Sequence, residues 1–337
     1  MNNKRFSAFE GLRVIATLGI FLFHAGFLNN GSFFVTFFFM LSGFLCYFTK
    51  NNSMQMYTFI SWLKKYVWGK IKQFYPLYFF TFVLAFFVRE IYQYIFSLDG
   101  LFQVILNLLM LKPFFSDYAY SFNPLSWFLA VTFFLYIIGY FLIKVLNRIN
   151  SIIFIIINIM SVMLIIILIN YAADIVHFSI YTFPIYRILD FYLGMLSAKL
   201  FIQIKINCNF SVIELLTVII LFLQYVFDSN IKINPGYNSI ILFFVLYIFA
   251  FGNGIISKIL SIDFFISTAK YCFEFYMIHE LMLMIFRKIY LDENLNENFR
   301  LILISFPALL ITIVLSVGFK TIQREIIKNK NFTFRGV

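Results

Sequence analysis

The sequence predicts an all-α fold, a polytopic membrane bundle of about ten transmembrane helices. Hydrophobic residues make up 62% of the chain and charged residues 12%, about half the roughly 25% charge of a soluble domain. Apolar runs near 20 residues long, the length that crosses a bilayer, recur from end to end. Lys and Arg are unevenly shared between the connecting segments, as the cytoplasmic side of a membrane protein requires.

The predicted spans are 12–28, 33–48, 76–97, 124–146, 151–171, 181–201, 212–227, 238–256, 265–289 and 300–320. The first carries Lys4 and Arg5 ahead of it like a signal peptide, yet no A-x-A-like site follows His24, so it reads as a retained helix. Between the second and third spans, residues 54–73 mix Lys64, Lys65, Lys70 and Lys72 with Trp62, Tyr66 and Trp68, the pattern of an interfacial amphipathic helix. The 101–111 segment is too short to cross and is expected to lie at the interface or re-enter. The Ile-rich 152–169 stretch has no polar side chain beyond Asn158 and Ser161, so it should face lipid. Neither a linker nor a repeat is visible. The expectation is one membrane domain over 1–337 with no fused soluble domain.

Charge orients the bundle. With a cytoplasmic N-terminus, 18 of the 26 Lys and Arg residues fall on the cytoplasmic side, six (Arg89, Lys112, Lys232, Arg287, Lys288 and Arg300) on the other, and Arg13 and Arg187 within spans. Both termini are therefore expected inside, with an even number of spans. The net charge of +11 follows from topology, and no groove-reading module suggests nucleic acid. Abundant Phe, Ile, Asn and Lys fit an AT-rich bacterial genome, and the expected location is the bacterial inner (cytoplasmic) membrane. Cys46, Cys208 and Cys272 have neither disulfide-framework nor metal-ligand spacing. No metal is expected.

The first span holds the sharpest functional signal. Arg13 and His24 are eleven residues apart, and eleven steps of 100° end 20° past three full turns, which puts both on one helix face about 16 Å apart. Glu10 is three residues before Arg13 and can pair with it. Ionisable residues are costly inside a membrane, and two on one face point to a polar cavity within the bundle. The alternative is a snorkelling arginine and a histidine satisfied by a neighbouring helix.

Five stretches carry a family resemblance in order. FEGLRVIATLGIFLFHAGF has an acidic-G-L-R start and ten residues between Arg13 and His24. FFFMLSGFLCYF carries Ser42 and Gly43, and WGKIKQFYPLYFF carries Lys72, Tyr75, Pro76 and Tyr78. FPIYRILDFYLGMLSAKL carries Arg187 and Gly194, and YCFEFYMIHELM carries His279. Together they resemble the acyltransferase-3 family of integral membrane acyltransferases over nearly the whole chain. One departure is Thr132, where many relatives have a glutamate in an S-V-E type motif. Here the run is NPLSWFLAVTFFLYIIGY, and its W-F-L pattern, with Trp127, looks like the branch that includes small polysaccharide-modifying members.

The resemblance implies transfer of an acyl group, most often acetyl, from acetyl-CoA or another acyl-CoA to a hydroxyl of a surface polysaccharide or its lipid-linked precursor. The residues suit that chemistry. A sugar hydroxyl needs a base, and an imidazole titrates near neutrality, so His24 is the expected base. The fork of Arg13 suits a CoA phosphate, with Glu10 orienting it and Lys72 and Tyr75 as further donor-side candidates. About 16 Å is comparable with an extended pantetheine arm.

For the acceptor, the candidates are Arg187, Asp190, His279, Trp127 and Ser42. Arg187 and Asp190 pair across one helical face or simply brace the bundle. His279, beside Glu280, assists the acceptor or bonds a neighbouring helix. Ser42 and Cys46 are four apart, but helix packing through Ser42 and Gly43 is the simpler role. His177, near Asp174, reads as a solvated loop residue. The basic stretch from Lys64 to Lys72 would attract CoA phosphates or anionic lipids. The competing class is a transporter or flippase of a glycan intermediate, which inverted repeats would favour, and none is apparent. Partners are membrane lipids, the acyl donor, the glycan acceptor and separate glycan-synthesis proteins.

Overall fold

A computed structural model of the chain describes residues 6–91, 95–176, 180–204, 206–230, 236–290 and 296–333. The described elements are helices without a strand, and the long ones follow the predicted spans in order. They are α1 (Ser7–Ala25), α2 (Ser32–Lys50), α3 (Phe59–Trp62) leading into α4 (Trp68–Val88), α5 (Leu98–Leu108), α6 (Trp127–Arg148), α7 (Ile152–Ile175), α8 (Pro184–Gln203), α9 (Ser211–Asn230), α10 (Gly236–Phe251), α11 (Ile255–Leu260), α12 (Asp263–Ala269), α13 (Cys272–Ile289) and α14 (Glu297–Thr333). Among the described residues six helices are long and apolar enough to cross a membrane. Of the others, α8 and α13 carry more charge: Arg187, Asp190 and Lys199 on the first, and Glu274, Glu280, Arg287 and Lys288 on the second.

Three boundaries differ from the sequence reading. The basic 54–73 segment is no separate surface helix, since α3 runs through a π turn at Leu63–Val67 into α4, giving one helix over Phe59–Val88. That helix ends nine residues before the predicted 97, where Glu90 takes a left-handed φ of 56° and Arg89 turns to donate to the carbonyls of Tyr120 and Phe122 at 2.7 and 2.9 Å. The predicted 265–289 span is α12 and α13, parted at Lys270 and Tyr271. The 101–111 segment overlaps the eleven-residue α5, tied to α4 by the Tyr78 hydroxyl on the Asn107 carbonyl and the Tyr75 hydroxyl on that of Leu108. His177 lies outside the described residues.

The core sits where α2 and α8 cross. A Cβ added at Gly43 would lie 1.9 Å from the Phe191 carbonyl oxygen, and one at Gly194 would lie 1.9 Å from that of Met40. The two backbones are therefore in contact, as small residues at a membrane helix interface allow. Conversely α7 is mostly exposed and apolar along its length, the character of a lipid-facing helix. Buried Glu214 caps a helix from outside it. Its carboxylate accepts from the backbone N–H groups of Gly254 and Ser257 at the start of α11, where orphan donors and the helix dipole favour an anion.

Candidate functional site

One stripe of α1 carries the site. Arg13, Thr17, Ile20 and His24 recur at helical spacing, and the Thr17 hydroxyl donates back to the Arg13 carbonyl at 2.8 Å. His24 lies in the last turn, which Gly26 closes with φ of 93°, a conformation glycine adopts without steric cost.

At the Arg13 end, Nη1 of Arg13 donates to both carboxylate oxygens of Glu10 at 3.0 Å. Among the described residues its Nη2 and Nε have no acceptor, so two donors of the fork stay available. Both side chains are only part-buried, at 29% and 34% exposure. The π turn of the neighbouring helix presents Tyr66 and, one turn on, Lys70, which reaches over the rings of Tyr66, Phe74 and Tyr136 at 5.7–5.9 Å. Lys50 covers Tyr66 from α2 at 5.1 Å. Ser42 faces Tyr136, and Cys46 faces Tyr66. This end is thus rich in cations and aromatic rings, with Ser42 and Cys46 in its wall.

The His24 end is different. His24 lines a cavity of about 320 Å³ whose wall includes Trp127, Tyr120, Tyr181, Tyr276, Asn29 and Ser32. From α13, Glu280 brings Oε2 to 3.6 Å from His24 Nδ1. Arg287 donates Nη1 to Glu280 at 2.8 Å and Nη2 to the His24 carbonyl, a cation at the carbonyl end of α1, where the helix dipole favours one. His279 is fully buried with its ring 5.5 Å from that of His24. Its Nδ1 meets the Phe275 carbonyl at 3.2 Å, which leaves Nε2 as an orphaned buried atom. Such an atom calls for a partner.

The cavity wall is braced from behind. Fully buried Lys112 donates to the carbonyls of Ser121 and Asn123 at 2.8 Å, and burial followed by the charge of Arg89 pushes its ammonium well below the usual lysine range. Asn123 in turn donates to the Met277 carbonyl of α13 at 2.9 Å. These bonds fix the segment that carries Tyr120 and leads into Trp127.

The predicted residues therefore separate into groups. Arg13, Glu10, His24, His279 and Trp127 lie at the two ends as described. Ser42 belongs to the Arg13 end, away from the His24 cavity. Arg187 and Asp190 form a buried pair at 2.6 Å, and Arg187 also donates to Thr36 and to the Tyr181 carbonyl while Asp190 accepts from Ser239. They stand behind the cavity and hold its Tyr181 wall. Lys72 is exposed over the ring of Trp68, and Tyr75 is committed to α5. Of the two lysines, Lys70 is the one that lies over Tyr66 and Tyr136 at this end. Sequence reasoning missed the links of Glu280 and Arg287 to His24, although their spacing of seven puts both on one helix face. Thr132 is buried and bonds the Phe128 carbonyl at 2.8 Å. Among the described residues no group of three His, Cys, Asp or Glu side chains gathers to hold a metal ion.

A membrane helix bundle with a histidine-carboxylate pair at one end and an arginine end on the same helix defines the class of protein. Residues 6–320 match the acyltransferase-3 family model, described as an acyltransferase domain, and the chain belongs to that family. None of the curated proteins and none of the solved structures compared with the chain matches it.

Proposed function

We propose that this membrane acyltransferase moves an acetyl or other acyl group from acyl-CoA to a hydroxyl of a surface polysaccharide or its lipid-linked precursor, with His24 as general base. The observation that carries this reading is the Arg13–His24 stripe of α1, with cations gathered at one end and an imidazole-carboxylate pair facing an aromatic cavity at the other. The acyl thioester supplies the activated carbonyl. Arg13, held by Glu10, and Lys70 with Lys50 suit the CoA phosphates. His24 takes the hydroxyl proton as the oxygen attacks the carbonyl carbon, and returns it to the departing thiolate. Glu280 steadies the imidazolium, and Arg287 fixes Glu280 against the end of α1. Trp127 and the surrounding tyrosines offer flat faces and hydroxyls to a sugar ring. Arg187 and Asp190 serve the acceptor indirectly, through Tyr181.

In this reading both termini are cytoplasmic in the bacterial inner membrane, so the Arg13 end meets the donor from inside. A reporter active only in the cytoplasm, fused after Val337, should be on. The function is tested by mass analysis of surface glycans from cells with and without the protein. Loss of an acyl mass from otherwise complete glycans is the expected result. Loss of the glycan itself, with acylation unchanged, would indicate translocation instead.

A further inference from the structure

A second cavity, about 410 Å³, opens beside the His24 cavity between α1, α2, α9 and α10. Its wall is apolar along most of its length, including Leu12, Ile15, Phe33, Phe37, Leu221 and Leu242. Polar groups are confined to its lining amides and Tyr225. The amides form a chain: Gln224 donates to Asn238 at 2.5 Å, Asn238 to the Ser32 hydroxyl at 3.3 Å, and Ser32 to Asn30 at 2.7 Å. Asn30 lines both cavities, and Ser32 lines the one at His24. Gln224 Oε1 is buried without a partner among the described residues.

We propose that this crevice seats the single apolar tail of a membrane-anchored acceptor, whose hydroxylated head passes Asn30 and Ser32 to reach His24. The inference rests on the acyl-transfer reading and deepens it by naming the acceptor as a single-chain lipid. Three considerations fix the occupant. Leu12, Ile15 and Ala16 belong to the membrane-crossing part of α1, where the medium is hydrocarbon and unsatisfied amides are costly. At roughly 30 Å³ for a group of water's size, about 410 Å³ takes about a dozen chain carbons, the length of one chain through half of a ~30 Å hydrocarbon core. The polar end of the crevice adjoins His24, whereas the candidate donor phosphates lie at Arg13. The tail therefore belongs to the acceptor.

The test uses the full chain in vesicles of phosphatidylethanolamine and phosphatidylglycerol, photolabelled with a diazirine-bearing farnesyl phosphate and mapped by peptide mass spectrometry. Label should concentrate on the crevice segments of α1 and α9 and fall about tenfold in Leu221→Trp. Ala16→Leu is the second variant should the first not fold. Label that is as dense on the outer face of α7, that survives crevice filling, or that excess phosphatidylglycerol removes as readily as unlabelled farnesyl phosphate, would mean bulk lipid only and overturn the proposal. Acyl-CoA turnover on the same preparations, supplied with a sugar-bearing farnesyl phosphate whose head carries the hydroxyls the photoprobe lacks, separates the two claims. A labelled crevice without acyl transfer would sink the functional reading alone, and acyl transfer with an unlabelled crevice would sink the tail site alone.

Discussion

The two ends of α1 are built from opposite materials. At Arg13 the side chains are part-exposed and cationic, with Lys50 and Lys70 reaching in over tyrosine rings. At His24, itself about as exposed as Arg13, the neighbouring Glu280 and His279 are buried, the strong cation Arg287 is neutralised by Glu280, and the wall is aromatic. An end with an excess of cations can recruit a multiply charged anion, whereas buried Glu280 and His279 feel each remaining electrostatic interaction more strongly. In the proposed function one helix separates capture of a charged donor from proton transfer by about 16 Å along its axis.

The largest expected effect removes both ends together. Gly43→Leu places side-chain atoms where the Phe191 carbonyl already sits, and overpacking of this kind costs ~1–3 kcal/mol or more. Size-exclusion profiles and thermal melts of the purified variant should show loss of the folded monodisperse protein. A wild-type melt would mean that α2 and α8 are not in backbone contact.

Glu280→Gln sharpens the distinction at the His24 end. It keeps the shape but removes the charge that supports an imidazolium, so acyl transfer should fall ~10- to 100-fold, less than the ~10²–10⁴-fold of losing the base itself. Acyl-CoA affinity and melting temperature should stay put. Equal losses of transfer and of donor affinity would show that the ends are not separable.

The smallest effect tests the Arg13 end. Lys70→Met should weaken acyl-CoA binding a few-fold, in line with the ~0.5–1 kcal/mol of a partly exposed charge contact, and Lys72→Met should leave it unchanged. Titration calorimetry of the two variants reads the difference. The reverse order would restore the donor role that the sequence alone gives to Lys72.

How much of the molecule is legible in its sequence follows from which forces set each feature. The long helices and their order are written in runs of apolar residues, because each must bury its own backbone hydrogen bonds in hydrocarbon. The Arg13–His24 stripe is periodicity within one helix and needs no tertiary knowledge. By contrast, that Lys70 and not Lys72 reaches the rings of Tyr66 and Tyr136 turns on a 200° rotation along one helix, and the π turn at Leu63–Val67 helps set which side faces in. The continuity of α3 with α4 is hidden for the same reason. The pairing of Glu280 with His24 joins helices at opposite ends of the chain, and no local pattern announces such packing. Arg187 and Asp190 show the converse: their spacing is readable, but their full set of partners, Thr36, Tyr181 and Ser239, is not.

The central claim, that the two ends of α1 do different work, is tested most directly by measuring acyl-CoA affinity and acyl transfer on the same preparations of Arg13→Lys and His24→Ala. Arg13→Lys should bind acyl-CoA more weakly, since an ammonium cannot reproduce the planar fork, yet regain transfer at saturating donor. His24→Ala should bind acyl-CoA normally and lose transfer by ~10²–10⁴-fold. Wild-type transfer by His24→Ala at equal protein level, or matched losses of both properties in both variants, would contradict the account.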